Sequence, residues 1–194
     1  MAEKIKIVAI SGSTRQRSSN LNLIKAVQHM AANLFELSVF EGLTDLPHFN
    51  PDLDNEDVSG NIKSFRNILR AADGILICTP EYAVGVPGTL KNAIDWTVGT
   101  MEFSQKPVAL ITAATSGARA HESLLGTLLI IEAKITADMQ LLIPAVRIKV
   151  TDAGEITDSE TFTQVNKLIS SLVEVIQGDK AVDYLPAPLL MDPS

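Results

Sequence analysis

The 194-residue chain holds one cysteine, Cys78, one tryptophan and few aromatic residues of any kind. A lone thiol forms no internal disulfide, which argues against an oxidising compartment. Basic residues are also outnumbered, with 16 Lys and Arg against 23 Asp and Glu and a net charge of −7. Nucleic acids and anionic membrane surfaces require a basic face, so neither is an expected partner. No stretch approaches the roughly 20 uninterrupted apolar residues of a membrane span. Lys4 and Lys6 break the first apolar run, so it does not read as a leader. A cytoplasmic location is therefore expected. His29, His48 and His121 stand in separate segments without ligand spacing, and no metal site is expected. Asp52, Asp54, Glu56 and Asp57 lack the order of a calcium loop and read as a solvated face.

What is present is an alternation of short β-rich runs with longer helical patterns. The length suits one domain, read over residues 1–178, with an extension over 179–194 that contains three prolines and no periodicity. Ile5 to Ile10, Ile75 to Cys78, Val108 to Ile111, and Leu141 to Val150 with Pro144 inside it read as central strands, apolar enough to be covered on both faces. Phe35, Leu37 and Val39 alternate with Glu36 and Ser38, the pattern of a half-exposed strand near a sheet edge. Asn20 is placed to cap a helix that turns Leu23, Ile24, Val27 and Ala31 inward. Pro87 opens another, with Leu90, Ala93, Ile94 and Thr97 on one face. Phe162, Val165, Ile169, Leu172 and Ile176 give the last helix an apolar stripe. Leu124 to Ile131 is apolar almost all round, which implies cover on both sides, from the core or from another subunit. Such alternation predicts an α/β fold, a doubly wound parallel sheet of five strands with helices on both faces. Ligands bind such sheets at the carboxyl ends of the strands, so the loops after Ile10, Cys78 and Thr112 are the ones to inspect.

The first of these loops, Ser11 to Asn20, offers five hydroxyls, the Arg15 and Arg17 guanidinium groups and the Asn20 amide, just before a helix N-terminus. That is a donor set for a phosphate dianion. Lacking a lysine, it is not a nucleotide triphosphate loop, and its single glycine, Gly12, excludes a dinucleotide fingerprint. It also lacks the thiolate of a phosphatase. A terminal monophosphate, held and not cleaved, matches best. The second loop, Thr79 to Gly88, carries two prolines and two glycines. It is longer than the usual strand–helix connection and suits a planar hydrogen-bonding ring.

These loops resemble those of the NADPH-dependent FMN reductases, which include quinone, azo and chromate reductases. The resemblance lies in Gly12-Ser13-Thr14-Arg15 with Ser18 and Asn20, in Leu46 to Leu53, and in Pro80-Glu81-Tyr82 continuing through Pro87-Gly88 and Leu90 to Trp96. It covers the first half of the chain, with Ser116-Gly117 and Arg119-Ala120 as remnants in the second. It implies a flavodoxin-like sheet of order 2-1-3-4-5 and bound FMN, with NADPH or NADH as electron donor. Ser13, Arg15, Ser18 and Asn20, flanked by Ser11 and Ser19, would hold the FMN phosphate. Pro80, Glu81 and Tyr82, followed by Ala83, Val84 and Gly85, would lie beside the isoalloxazine, with Ser116 and Gly117 closing the ribityl or ring side. Tyr82 and Arg119 are expected to touch the exchanging substrate. The implied reaction passes hydride from nicotinamide to flavin and then two electrons to a small acceptor, with no side chain as a strict catalytic residue. A homodimer or homotetramer is also implied. Ala83 stands where the family often has asparagine, and the loop after the fourth strand is short.

Two other readings stay open on the residues. A flavin-binding electron carrier would need no nicotinamide turnover, and a non-catalytic oligomeric module would keep only the fold. Cys78, at the end of a buried strand, reads as a core residue, Trp96 as core or interface, and Glu81 as an exposed loop carboxylate.

Overall fold

A computed structural model of the chain describes residues 4–178 and 182–188. Five strands, β1 (Ile5–Ser11), β2 (Phe35–Phe40), β3 (Gly74–Thr79), β4 (Val108–Ala114) and β5 (Gln140–Pro144), form one sheet. All neighbours run parallel, as the sequence predicts, in the order β2-β1-β3-β4-β5 that the family resemblance implies. The switch point therefore lies between β1 and β3. Every residue of β3 and β4 is buried, which is why both read as unbroken apolar runs. At the β2 edge, Phe35 and Leu37 are buried while Glu36 and Ser38 face water.

The helices are α1 (Ser19–Met30), α2 (Gly60–Ala71), α3 (Gly88–Val98), α4 (Ala118–Ile130) and α5 (Ser159–Gln177). Alternation along the strands assigns them to faces. On β3, Gly74 lies under Ile176 of α5 and Cys78 donates to Asn20 of α1, so α1 and α5 share one face. Thr79 points the other way, toward Leu90 of α3. Its register partner Thr112 on β4 meets His121 of α4 on that same side. Phe40 stacks on Phe65 of α2 with ring centroids 4.7 Å apart, and its register partners Ile10 and Ile77 assign α2 to the α3–α4 face.

Several boundaries differ from those read in the sequence. Ser18, not Asn20, caps α1, and its hydroxyl accepts the Asn20 N–H at 3.2 Å. β5 stops at Pro144 and does not run to Val150. Proline supplies no ladder N–H, and Ala145 then takes φ +52 before a short 3-10 turn over Val146–Ile148. Phe162 is 45% exposed rather than inward, because the first turn of α5 buries Thr161 instead. Part of the apolar flank of α4 is covered by the chain's own C-terminal segment. Leu185 donates its N–H to the Ile135 carbonyl, and Pro188 lies beside Gly126. No helix among the described residues is long and apolar enough to cross a membrane.

Candidate functional site

The loop after β1 is held open by close contact with β3. The Gly12 N–H donates to the Cys78 carbonyl at 2.8 Å, and a Cβ at Gly12 would lie 2.3 Å from Thr79 Oγ1. Only a residue without a side chain fits there. Beyond it, Ser11 Oγ accepts the Ser13 N–H, and Ser13 Oγ accepts the Arg15 N–H, so the loop curls around its own hydroxyls. Ser13 Oγ also lies 3.5 Å from the Tyr82 hydroxyl, which links the first loop to the second.

Asn20 is turned inward. Its amide donates to the Ala113 carbonyl at 3.1 Å and accepts from Cys78 Sγ at 3.3 Å, fastening α1 across the ends of β3 and β4. Burial raises the Cys78 thiol far above its ordinary value, so it is a core group rather than a redox group. The first turn of α1 contains no acidic residue, so its partial positive charge faces the loop uncompensated.

In the second loop, Tyr82 and Gly85 exchange both backbone hydrogen bonds at 3.0 Å, which closes a two-residue turn over Ala83 and Val84. Both turn residues have positive φ, +49 and +62, and the Val84 side chain is 69% exposed. The Glu81 carboxylate accepts the Ala120 N–H at 3.0 Å. It is therefore half-buried and anchored, where an exposed loop carboxylate is expected.

Between these loops lies a cavity of about 590 Å³, a volume in the range of small-molecule sites. It joins Ser13, Arg15, Ser18, Ser19 and Asn20 to Pro80, Glu81 and Tyr82. Its floor is the end of β4, Ala113 and Ala114 with Thr115, and its far wall is the segment after β5, with Val146, Arg147 and Ile148. Ser11, Ala83, Val84, Gly85, Ser116, Gly117 and Arg119 do not line it. Gly117, at φ +94, is the N-cap of α4 and packs on Leu142 and Thr112. Arg119 lies 3.7 Å from Glu122 on the outer surface of that helix. Arg147 and Ile148 lie in a segment whose apolar alternation reads as strand, which hides the turn that brings them to the cavity. Arg15, Arg17 and Arg147 form no ion pair among the described residues.

A phosphate monoester with a ring fits this arrangement. Free guanidinium groups, hydroxyls and a helix N-terminus occupy one end, and the Pro80–Tyr82 surface over an alanine floor occupies the other. Further polar clusters, among them those of His121 and of Arg66, lie outside it. His121 is buried between Thr112 and Gln140, and burial lowers its pKa although the Gln140 hydrogen bond opposes this. Asp54 is not merely solvated, because the buried Arg66 binds it at 2.8 Å and also donates to the Trp96 carbonyl. Trp96 itself is core, and its indole N–H donates to the Pro47 carbonyl.

Residues 5–147 match the family model of the NADPH-dependent FMN reductases. The chain is 29% identical over 187 residues to a quinone reductase of Escherichia coli, an alignment covering 93% of this chain and all of that protein. It is 28% identical over 177 residues to an NAD(P)H-dependent FMN reductase of Pseudomonas aeruginosa, covering 89% of this chain and 95% of the relative. Among solved structures, a flavoenzyme NAD(P)H:(acceptor) oxidoreductase from Paracoccus denitrificans superposes with a TM-score of 0.74 at 26% identity. That match covers 91% of this chain and 98% of the other.

Proposed function

The chain belongs to the NADPH-dependent FMN reductase family, and from that premise we propose that it reduces a small, flat, electron-poor acceptor, a quinone before an azo compound, a metal oxyanion or free flavin. It is an NAD(P)H-dependent oxidoreductase with FMN as cofactor. One observation carries the reading of the site. The cavity joins a cationic, hydroxyl-rich end to a rigid Pro80–Tyr82 surface across the carboxyl ends of β1, β3 and β4.

When bound, FMN supplies hydride acceptance from the nicotinamide and two-electron delivery to the acceptor. The chain's part is binding and orientation. Ser13, Arg15, Ser18 and Ser19, with the N-terminus of α1, hold the phosphate. Asn20 contributes by setting the position of α1 on the sheet. Pro80, Glu81 and Tyr82 flank the ring, and the exposed Tyr82 is available to the exchanging substrate. No side chain serves as nucleophile. We further propose a cytoplasmic homodimer or homotetramer. Exposed Phe49 and Val98, which line a second hollow, are the supporting observation.

The test is an absorbance spectrum of the protein after FMN is added and the excess removed. Retained flavin bands, lost on Arg15→Ala with Ser18→Ala, are the expected result, followed by anaerobic bleaching on adding NADPH. A folded protein that stays colourless would sink the reading, and retained flavin without bleaching would make it an electron carrier.

A further inference from the structure

We infer that Arg147 is a second anion site in this cavity, binding a phosphate of the adenosine half of the nicotinamide dinucleotide and so setting affinity for the electron donor. The inference rests on the FMN and nicotinamide reading above.

Arg147 stands on a turn fixed at both ends. On one side the Ala145 N–H donates to the Thr115 carbonyl at 3.2 Å, and Val146 is only 4% exposed. On the other, the Lys149 carbonyl accepts the Thr157 N–H at 2.9 Å, and Val150 is buried. The neighbouring cations are engaged. Lys149 lies 3.8 Å from Asp158, and Arg119 lies beside Glu122. The carboxylates on the cavity wall are engaged as well, Glu81 by the Ala120 N–H and Asp152 by the Asn22 amide. Arg147 lines this wall of an acidic protein's cavity, and its guanidinium has no ion-pair partner among the described residues.

The FMN phosphate does not require it. One contiguous loop already offers the Arg15 guanidinium, several hydroxyls and a helix N-terminus to that dianion, with Arg17 also lining the cavity. Arg147 enters from a different segment, on the far wall. Next to it Ile148 is 82% exposed and also lines the cavity, an apolar shelf that water gains nothing from touching. A cation beside an apolar shelf matches a phosphate beside a purine. The 2′-phosphate of NADPH and the pyrophosphate common to both donors share this chemistry.

The test uses FMN-loaded protein, wild type and Arg147→Gln, with Ile148→Ser as a second variant. Calorimetric titration with NADP⁺, NAD⁺ and 2′,5′-ADP gives affinities independent of turnover, and KM for NADPH and NADH is measured beside them. Arg147→Gln is expected to weaken NADP⁺ by tenfold or more while retaining FMN, and Ile148→Ser to weaken it less. Loss confined to NADP⁺ and 2′,5′-ADP assigns the 2′-phosphate, whereas equal loss with NAD⁺ assigns the pyrophosphate. Unchanged NADP⁺ affinity overturns the inference. So does loss of FMN with riboflavin binding intact, which would make Arg147 a third ligand of the flavin phosphate. Wild-type protein that takes up no FMN would fail the underlying reading instead, and is recognised before any variant is made.

Discussion

The Glu81 carboxylate accepts the Ala120 N–H at 3.0 Å, so the loop after β3 caps the helix that follows β4. α4 has no acidic residue in its own first turn, and its N-cap, Gly117, has no side chain to offer. Glu81 therefore supplies from 39 positions away what a local Asp or Ser would normally provide. Replacing it with alanine should cost about 1–2 kcal/mol in urea unfolding, with glutamine recovering part of the loss. The same change frees the Pro80–Tyr82 wall and should weaken FMN binding. An unfolding midpoint equal to wild type would show that the carboxylate does not carry the cap.

The turn over Ala83 and Val84 invites the opposite experiment. Left-handed backbone costs an L-residue about 1–2 kcal/mol, and a β-branched side chain tolerates it least. Asn-Gly is the pair that such a turn favours. Ala83→Asn with Val84→Gly should therefore stabilise the protein by about 1–2 kcal/mol, read as a raised thermal midpoint. Strain of this kind gathers beside binding sites, so the variant also asks whether the rigid turn aids turnover. No gain in stability would mean that the turn is not strained.

Whereas the strand order came only from the family resemblance, the parallel strands and the first loop were legible because burial on both faces and a clustered donor set leave direct marks in composition. The end of β5 was not. Ala145 to Val150 continues the apolar alternation, and only the positive φ at Ala145 shows that the chain has turned away from the sheet. Arg147 is hidden for the same reason, since its neighbours read as strand. Asn20 was recognised by type, yet its inward turn depends on Cys78 and Ala113, two strands that no local pattern connects to it. Phe162 had the right spacing, but spacing does not say where the apolar stripe of α5 runs out of sheet to cover.

His121 should give stability a pH dependence. The Gln140 amide N–H is directed at the Ala137 carbonyl, so Gln140 Oε1 accepts from His121 Nε2, and Nδ1 is left to accept from the Thr112 hydroxyl. Protonation would place a donor against that hydroxyl inside the core. Burial accordingly holds the folded-state pKa below 6.5. The unfolded chain thus takes up the proton first, and stability falls as pH drops below 6.5 toward the folded-state value. Urea unfolding between about pH 7 and about pH 5 should show this loss, and His121→Gln should flatten it. Asp158, held below 3.8 chiefly by the Thr161 hydroxyl, acts only at lower pH and does not confuse the window. An equal slope in the variant would assign the effect to another group.

Gly12 carries the most severe steric prediction. Its N–H bond to Cys78 draws the chain against β3, and Thr79 fills the space where a side chain would begin, with its Oγ1 2.3 Å and its Cβ 2.8 Å from an added Cβ. Thr79 cannot rotate both atoms away, and Leu90 of α3 closes the third side at 3.1 Å. Gly12→Ala must then push the first loop off β3, at a cost of about 1–3 kcal/mol. The displacement acts on the loop that carries Ser13 and Arg15, so FMN retention should fall together with stability. Adding Thr79→Gly removes both threonine contacts and should restore FMN uptake more than it restores the unfolding midpoint, because a glycine at the buried end of β3 brings its own penalty. If the double variant regains neither, the clash with Thr79 is not what makes Gly12 necessary.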